Sequence, residues 1–286
     1  MTVEETTGCP FSGERPGTTG TGQGAPGTGP APYVQYARMD ALLSLQHPLS
    51  TADTEPGFII MSQVKELLFK LLHTELTTAR DRLREDRVDD ALWTLRRSGR
   101  VQQVLLACWE TFAVLSPAEF AEFREVLGTA SGFQSVGYRR LEFLLGNKDP
   151  AMLEPHRGSP AYQEVSAQLH APSLYDEVLA LLARRGLLAA DSTSGGEPAE
   201  PYRADVEAAW LAVYRDPAGH RDLHLLAEAL MDTADQFARW RYTHLVTVQR
   251  MLGAKPGTGG TSGVPWLAGI SEHRFFPELW SVRSAI

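Results

Sequence analysis

The feature that most constrains this chain is the three- and four-residue spacing of apolar side chains, which recurs from Tyr33 almost to the C-terminus. One such stretch spans Phe58 to Arg82, and a second spans residues 91–115. This spacing places the apolar side chains on one face of an α-helix. Alternating strand patterns, hairpin signals and fixed-period repeats are missing from the sequence. The pattern therefore predicts an all-α fold.

Local signals predict the individual helices and their ends. The apolar face of the first stretch is predicted to be Ile60, Val64, Leu67, Leu68 and Leu71, and that of the second is Leu95, Val101, Leu105, Leu106 and Trp109. Further helices are predicted over residues 117–127, 135–145, 178–185, 206–214 and 221–252. Gly128, Gly146 and Gly253 follow three of these segments as stop signals, and Ser173 with Asp176 forms a capping box before another.

The domain organisation follows from composition along the chain. Residues 1–32 contain mostly Gly, Pro, Thr and Ala in their second half, so ordering this backbone would cost more free energy than burial returns. We expect residues 1–32 to be a disordered tail and residues 33–286 to be a single helical-bundle domain. A Ser- and Gly-rich loop at 187–200 is an alternative boundary, but the helices on both sides have apolar faces that need partners.

Charge and cysteine content exclude several classes of protein. The chain has 27 Lys and Arg against 35 Asp and Glu, a net charge of −8, which disfavours nucleic acid or an anionic membrane as a partner. Its two cysteines form no metal-binding or disulfide pattern. No apolar run approaches the roughly 18 residues of a membrane span. We expect a cytoplasmic protein with no membrane or nucleic-acid partner.

His244 is the first candidate for chemistry, because it lies in an apolar stripe of the last long helix. Phe237, Trp240, Val248 and Met251 lie at −7, −4, +4 and +7 from it. A histidine in such a stripe either has both ring nitrogens hydrogen-bonded or binds a ligand, and the first case is the more common. No second His or carboxylate stands at ligand spacing, which argues against zinc and non-heme iron. One imidazole facing an apolar pocket is, however, what heme ligation requires.

Two further segments each allow either a purely structural or a ligand-binding interpretation. The Gly-rich run 255–263 contains Thr258 and is neither a P-loop nor a dinucleotide fingerprint, so it is either a surface linker or a loop that approaches a ligand. Arg139 precedes Glu142 by three residues, and the simplest interpretation is an ion pair on a solvated helix face. The alternative is that Arg139 turns inward and binds a substrate carboxylate through two hydrogen bonds.

Taken together, the motifs of this chain resemble the tryptophan 2,3-dioxygenase family in order and spacing, over roughly residues 33–283. The segments that carry the resemblance are Tyr33–Tyr36, Leu42–Gln46, Phe58–Ile60, Ser131–Ser135, Glu142–Lys148, Trp240–His244 and Gly257–Gly260. The Ser-Gly-Phe-Gln-Ser and Gly-Thr-Gly-Gly elements are highly specific when they occur together.

The resemblance implies an all-helical oxygenase, a homotetramer, that uses heme b and O2 on the indole ring of L-tryptophan. By position, His244 matches the axial ligand of the heme iron, Arg139 the arginine that binds the substrate carboxylate, and Thr258 the threonine at the amino-acid end of the substrate. Phe58 matches an aromatic residue that packs against the indole. Tyr33 and Tyr36 match tyrosines of an N-terminal segment that reaches the pocket of a neighbouring subunit.

The chain departs from the family on one wall of the expected pocket. A histidine that hydrogen-bonds the indole N–H normally stands four residues after Phe58, and here that position is Ser62. Serine is shorter, is no base near neutral pH, and can donate to its own i−4 carbonyl. Nearby, Lys65 and Leu68 also differ from the residues usual in the family.

This departure leaves several functions open. Dioxygenation to an N-formylkynurenine does not strictly need a distal base, because the indole N–H can stay protonated. The altered wall favours the alternative of monooxygenation to a 2-oxindole, with tryptophan or β-methyltryptophan as substrate, as in a natural-product branch of the superfamily. A non-catalytic heme sensor and a helical adaptor without cofactor are the remaining interpretations.

Overall fold

The computed structural model describes residues 30–189 and 203–286, which form twelve α-helices and no strand. The all-α prediction is confirmed. The helices are α1 (Pro32–Ala37), α2 (Met39–Leu43), α3 (Glu55–Arg84), α4 (Val88–Ala113), α5 (Pro117–Arg124), α6 (Val136–Leu145), α7 (Tyr162–His170), α8 (Leu174–Arg184), α9 (Ala204–Arg215), α10 (Arg221–Leu252), α11 (Val264–Glu272) and α12 (Pro277–Ser281). Short 3-10 turns occur at Glu125–Leu127, Gly132–Gln134, Pro150–His156 and Val282–Ser284. Most of the predicted tail and of the 187–200 loop lies outside the described residues.

The chain divides into two compact units, Met1–Leu45 and Gln46–Ile286. The second unit contains α3 to α12, and within it α4 packs along both α3 and α10. One hydrophobic core includes residues on both sides of the undescribed segment 190–202, among them Leu181 of α8 and Leu226 of α10. The helices flanking that segment therefore share a core. The proposed division at residues 32 and 33 stays a prediction.

The ends of the helices confirm the local signals. Gly146 ends α6 with a φ of 109°, a left-handed conformation that glycine adopts without steric cost. Ser173 and Asp176 form the predicted capping box at the start of α8. Gly253 follows the last residue of α10. Helices α1, α2, α7, α11 and α12 were not among the individual helices predicted from the sequence.

The apolar face predicted for α3 is wrong, although the helix itself is confirmed. Ile60, Leu67 and Leu71 are exposed in this structure. The apolar side chains of α3 that are buried are Phe69, Leu72, Leu76, Ala79 and Leu83. Helix α3 is apolar along two stripes, and the spacing alone does not tell which of them α4 and α8 cover.

A test for membrane spans was negative for each helix taken singly within the described ranges. Only α4 together with the segment Pro117–Leu127 meets the length and composition criterion, and this pair is bent by 93°.

Candidate active site

His244 lies in the C-terminal half of α10 beside two tryptophans. Its ring stacks on that of Trp109 from α4, with centroids 4.5 Å apart and planes 14° apart, and the ring of Trp240 is 5.8 Å away. Neither ring nitrogen hydrogen-bonds to any described part of the chain. Burial, with a smaller contribution from the nearby charge of Lys65, lowers the pKa of His244 to about 3. The imidazole is therefore neutral at physiological pH and has a lone pair for a metal.

Other polar groups around His244 also lack partners. The indole N–H groups of Trp109 and Trp240 are buried and make no hydrogen bond. The Lys65 ammonium lies 4.3 Å from the centre of the Trp109 ring and 4.4 Å from that of Phe112. Burial lowers the pKa of Lys65 to about 8. Because buried polar groups are normally hydrogen-bonded, several unpartnered groups around one imidazole indicate a site for a ligand with polar atoms.

The donor set around His244 suits one class of metal group. No group of three or more His, Cys, Asp or Glu side chains that could hold a metal occurs in residues 30–189 and 203–286. A metal held by several protein side chains is therefore not supported there. A heme brings four nitrogen ligands of its own and needs one imidazole and an apolar environment, which His244 and its aromatic neighbours provide.

Helix α3 contributes Phe58, Ser62 and Lys65, which lie on one stripe at i, i+4 and i+7. The Phe58 ring contacts Phe112 at 5.5 Å and Phe123 at 5.3 Å between centroids. The Ser62 hydroxyl donates a hydrogen bond of 2.8 Å to the Phe58 carbonyl, the i−4 bond that the sequence suggested. The proton of this hydroxyl is thus held by its own helix, while its oxygen lone pairs stay available as acceptors.

Arg139 belongs to a buried cluster of charges, which corrects one sequence expectation. Arg139 does pair with Glu142, but the helix face is not solvated, since the two residues are 2 % and 1 % exposed. The second oxygen of Glu142 accepts a 2.9 Å hydrogen bond from Arg241 of α10. Arg241 also donates to the Tyr138 hydroxyl at 2.7 Å and to the His273 carbonyl at 3.0 Å.

One edge of Arg139 has no partner in the described chain. Only its Nη1 donates a hydrogen bond, to Glu142, and its Nε is buried without an acceptor. The Phe133 ring lies 5.8 Å from the guanidinium carbon. His156, also buried, has an unpartnered Nε2, and burial together with the charge of Arg139 lowers its pKa. A free Nε and Nη2 edge in a buried place is suited to a carboxylate, which accepts two parallel hydrogen bonds.

The two loop motifs of the sequence lie against each other. The Thr258 hydroxyl donates a 2.5 Å hydrogen bond to the carbonyl of Ala130, directly before the Ser131–Ser135 segment. Gly259 is so close to Ser131 that a Cβ atom at this position would clash with its side chain. The run 257–260 is therefore not a free surface linker: it packs on the turn that leads to Arg139.

The structure brings together most of the predicted site residues. Phe58 and Ser62 connect to His244 through the aromatic rings of α4, and Arg139 connects to α10 through Glu142 and Arg241. Tyr33 and Tyr36 lie on α1 in the first unit and are 69 % and 92 % exposed. Their roles, like those of the other site residues, stay predictions.

Sequence reasoning missed Arg241 and Glu142 as parts of the site, and it named Lys65 only as a departure from the family on the altered wall. A signal for Arg241 was present, because it precedes His244 by three residues and so shares its helix face. The spacing of Arg139 and Glu142 indicated their pairing but not their burial. Nothing in the sequence indicated that Lys65 would lie over the rings of α4.

Comparisons with known proteins were made on the whole chain. A family model described as "Tryptophan 2,3-dioxygenase" matches residues 19–171 and 174–286. A protein of that name from Burkholderia pseudomallei (strain 1106a) is 46 % identical, over 89 % of this chain and 84 % of the relative. Another from Burkholderia ambifaria (strain MC40-6) is 43 % identical, over 98 % of this chain and 97 % of the relative. A third, from Burkholderia multivorans, is similar to this chain at the same identity and coverage.

Proposed function

This chain belongs to the tryptophan 2,3-dioxygenase family, and on that premise we propose that it is a heme-dependent oxygenase that converts L-tryptophan and O2 to N-formylkynurenine. The observation that carries the proposal is the pairing of two features within one turn of α10. A neutral imidazole that makes no hydrogen bond in the described chain lies among aromatic rings, and three residues earlier Arg241 anchors a cluster whose Arg139 has a free edge. The first suits a heme iron and the second suits an amino-acid carboxylate.

His244 would hold heme b by coordinating its iron. When bound, the heme supplies the binding and activation of O2, which no side chain provides. The unpartnered Trp109 and Trp240 N–H groups and the Lys65 ammonium would be donors for polar or anionic atoms of the bound group. Trp109, stacked on the imidazole, holds the ring plane of His244 in place.

The amino-acid end of the substrate would be bound by Arg139 and Thr258. The free Nε and Nη2 edge of Arg139 donates two charge-assisted hydrogen bonds to the carboxylate. The Thr258 hydroxyl already donates to Ala130, so its oxygen accepts from the substrate ammonium. Two contacts at one end of the molecule fix the direction in which the indole ring enters the pocket.

The indole would lie against Phe58, with its N–H directed to Ser62. Because the Ser62 proton is held by the Phe58 carbonyl, Ser62 accepts a hydrogen bond from the indole nitrogen without removing its proton. The indole proton thus stays on N1 while the C2=C3 bond is oxidised. The aromatic residues around Phe58 exclude water from this end of the pocket.

A second candidate is monooxygenation of tryptophan or β-methyltryptophan to a 2-oxindole, in which the second oxygen atom of O2 leaves as water and an external reductant supplies the two electrons. The observation in its favour is the altered wall of α3, where Ser62 back-bonds to its own helix and the Lys65 cation lies over the rings of Trp109 and Phe112. A wall of different shape and charge changes substrate fit and the fate of the first oxygenated product. A heme sensor without turnover is less favoured, because a protein that only binds heme does not need residues that bind the amino-acid end of a substrate.

Product analysis with 18O2 distinguishes these candidates. The ferrous, heme-loaded protein is supplied with L-tryptophan and, separately, with β-methyltryptophan, each with and without an excess of a small-molecule reductant, and the product is analysed by mass spectrometry. Two labelled oxygen atoms support the dioxygenase and contradict the oxindole route, while one labelled atom does the reverse. A parallel reaction in H218O with unlabelled O2 corrects for exchange with water. No product, and no change of the ferrous spectrum on adding either substrate, would favour the sensor.

We also propose that the protein is a homotetramer in which Tyr33 and Tyr36 reach the substrate pocket of a neighbouring subunit. The exposure of both rings supports this, because large aromatic side chains are seldom left in water without a partner. Light scattering coupled to size-exclusion chromatography measures the number of subunits. Tyr36→Ser is expected to keep the heme and to weaken substrate binding; an unchanged affinity would contradict the role of the N-terminal segment.

A further inference from the structure

The buried cluster of Arg139, Glu142 and Arg241 has one formal positive charge in excess. All three residues are at most 3 % exposed, and the two arginines share the single carboxylate of Glu142. Buried charges are normally neutralised by partners, and an excess charge destabilises the folded state unless an anion binds. The cluster as a whole is therefore a preformed place for one anionic group.

The hydrogen bonds show on which arginine the excess charge lies. Each of the three nitrogens of Arg241 donates a hydrogen bond, to Tyr138, to the His273 carbonyl and to Glu142. Arg139 donates only one, from Nη1, and its Nε is buried without an acceptor. All three nitrogens of Arg241 thus donate hydrogen bonds, whereas only one nitrogen of Arg139 does. The donors of the cluster that remain available to an anion are Nε and Nη2 of Arg139.

We propose that Arg241 is a positioning residue for the substrate carboxylate, which acts through Glu142. Arg241 neutralises the charge of Glu142 from the side of α10, so that Glu142 orients Arg139 without cancelling its charge. Without Arg241, Glu142 would pair with Arg139 alone, and the cluster would be neutral overall and unattractive to an anion. The inference rests on the proposed function in one respect, that Arg139 receives the carboxylate of the substrate.

The cluster is built from residues of three separate segments of the chain. Arg139 and Glu142 lie on α6, Arg241 lies on α10, and the His273 carbonyl follows α11. Arg241 is three residues from His244, so the helix that offers the imidazole also sets the charge at the amino-acid end. A shift of α10 would change both sites together.

The test asks whether the positive charge at position 241, and not only the size of the side chain, determines how well the substrate carboxylate is recognised. We measure the dissociation constants of L-tryptophan and of tryptamine, which lacks the carboxylate, for the heme-loaded protein and for Arg241→Gln, Arg241→Lys and the double variant Arg241→Gln with Glu142→Gln. The ratio of the two constants reports recognition of the carboxylate alone. Circular dichroism and heme content verify folding.

We expect the preference for L-tryptophan over tryptamine to fall by about tenfold or more in Arg241→Gln, since the pair that remains is neutral. Arg241→Lys keeps the charge and is expected to stay within roughly threefold of the wild type. The double variant removes both charges of the pair, leaves Arg139 in excess, and is expected to regain most of the preference.

A purely structural role for Arg241 predicts a different pattern. The double variant would then be no better than Arg241→Gln, and affinity for tryptamine would fall with that for L-tryptophan; either result would overturn the proposal. If Arg241→Gln does not fold, the double variant decides alone, because only the charge argument expects it to keep the preference. Failure of the proposed function gives a different result. If Arg139 does not bind the substrate carboxylate, Arg139→Met would have the same ratio of tryptamine to L-tryptophan dissociation constants as the wild type.

Discussion

His244 and Arg241 are three residues apart on α10. Their surroundings differ in how many of the buried polar groups have hydrogen-bond partners. Around His244, aromatic rings dominate, and the nitrogens of His244, Trp109 and Trp240 have no hydrogen-bond partner in the described chain. Around Arg241, every nitrogen of the guanidinium is bonded and a carboxylate is shared between two arginines. The first region is aromatic and its polar groups lack hydrogen-bond partners within the described residues, while the second is charged and its polar groups are hydrogen-bonded except at the Nε and Nη2 edge of Arg139.

This difference indicates two kinds of ligand. A buried aromatic environment with one neutral imidazole and several unpartnered donors suits a large, flat cofactor held by a single coordinate bond and by burial. A charged cluster with one free edge suits a small anionic group held by directed hydrogen bonds. Because the two regions use different forces, variants should be able to disable one without the other, and the following predictions test that separation.

The largest effect is expected from His244→Ala. Removing the only proposed protein bond to the iron should lower the heme content by roughly tenfold or more and abolish or strongly alter the Soret band. Absorption spectra of the purified protein after hemin supplementation measure this. Cys108→Ala, a buried change on the neighbouring α4 outside the proposed contacts, is the matched control and should keep the band. An unchanged Soret band in His244→Ala would contradict the ligand assignment.

The next effect is expected from Arg139→Ala, which should keep the heme and lose the substrate. The affinity for L-tryptophan should fall by about 2–5 kcal/mol, because the carboxylate would be buried without its cation. Titration calorimetry on the heme-loaded protein measures the change, and tryptamine serves as the control ligand whose affinity should change little. Loss of the Soret band together with the affinity would show that the two regions are not separable.

The sequence was sufficient for much of this picture. The bounds of α10 and of the main helices, the caps at Ser173 and Gly146, and the i−4 bond of Ser62 all follow from local rules, since each depends on residues within one or two turns. The expectation of no zinc or non-heme iron site followed from the lack of a second His or carboxylate at ligand spacing from His244. Such features need no knowledge of the tertiary contacts.

What could not be predicted depends on which helix faces meet. The exposed stripe of α3 looked like a core face, because Ile60 and Leu67 have the same apolar spacing as the buried stripe. The pairing of Arg139 with Glu142 was visible, but its burial required α10 to bring Arg241 to the other side of the carboxylate. Both failures concern the long-range packing of helices that are far apart in sequence.

A smaller effect is expected from pH, through a histidine that flanks the charged cluster. Burial, with the nearby Arg241 second, lowers the pKa of His273 to about 4. In the unfolded chain this histidine has its ordinary pKa near 6.5, so between about pH 6.5 and pH 4 the unfolded state binds more protons and stability falls as the pH falls. The free energy of unfolding of the wild type should therefore drop by about 1–2 kcal/mol more than that of His273→Gln between pH 7 and pH 5.

Urea denaturation of both heme-loaded proteins at the two pH values measures this difference, because contributions common to the two proteins cancel. His47→Gln, on the segment between α2 and α3, serves as the control for a histidine change away from the cluster. Parallel losses in the wild type and in His273→Gln would show that burial and the charge of Arg241 do not hold His273 in its neutral form.

The smallest effect is expected from Ser62→Ala, and it separates an acceptor from a base. If Ser62 only accepts a hydrogen bond from the indole N–H, its removal should weaken L-tryptophan binding by about 0.5–1.5 kcal/mol, the net contribution of one neutral hydrogen bond. The affinity for 1-methyltryptophan, which has no N–H to donate, should stay unchanged, because the Phe58 carbonyl and the helix remain in place. A loss of turnover by orders of magnitude with unchanged binding would instead assign proton chemistry to this serine. In that case the α3 wall, and not the region of His244 or of Arg241, would be the place where this chain differs in mechanism from its relatives.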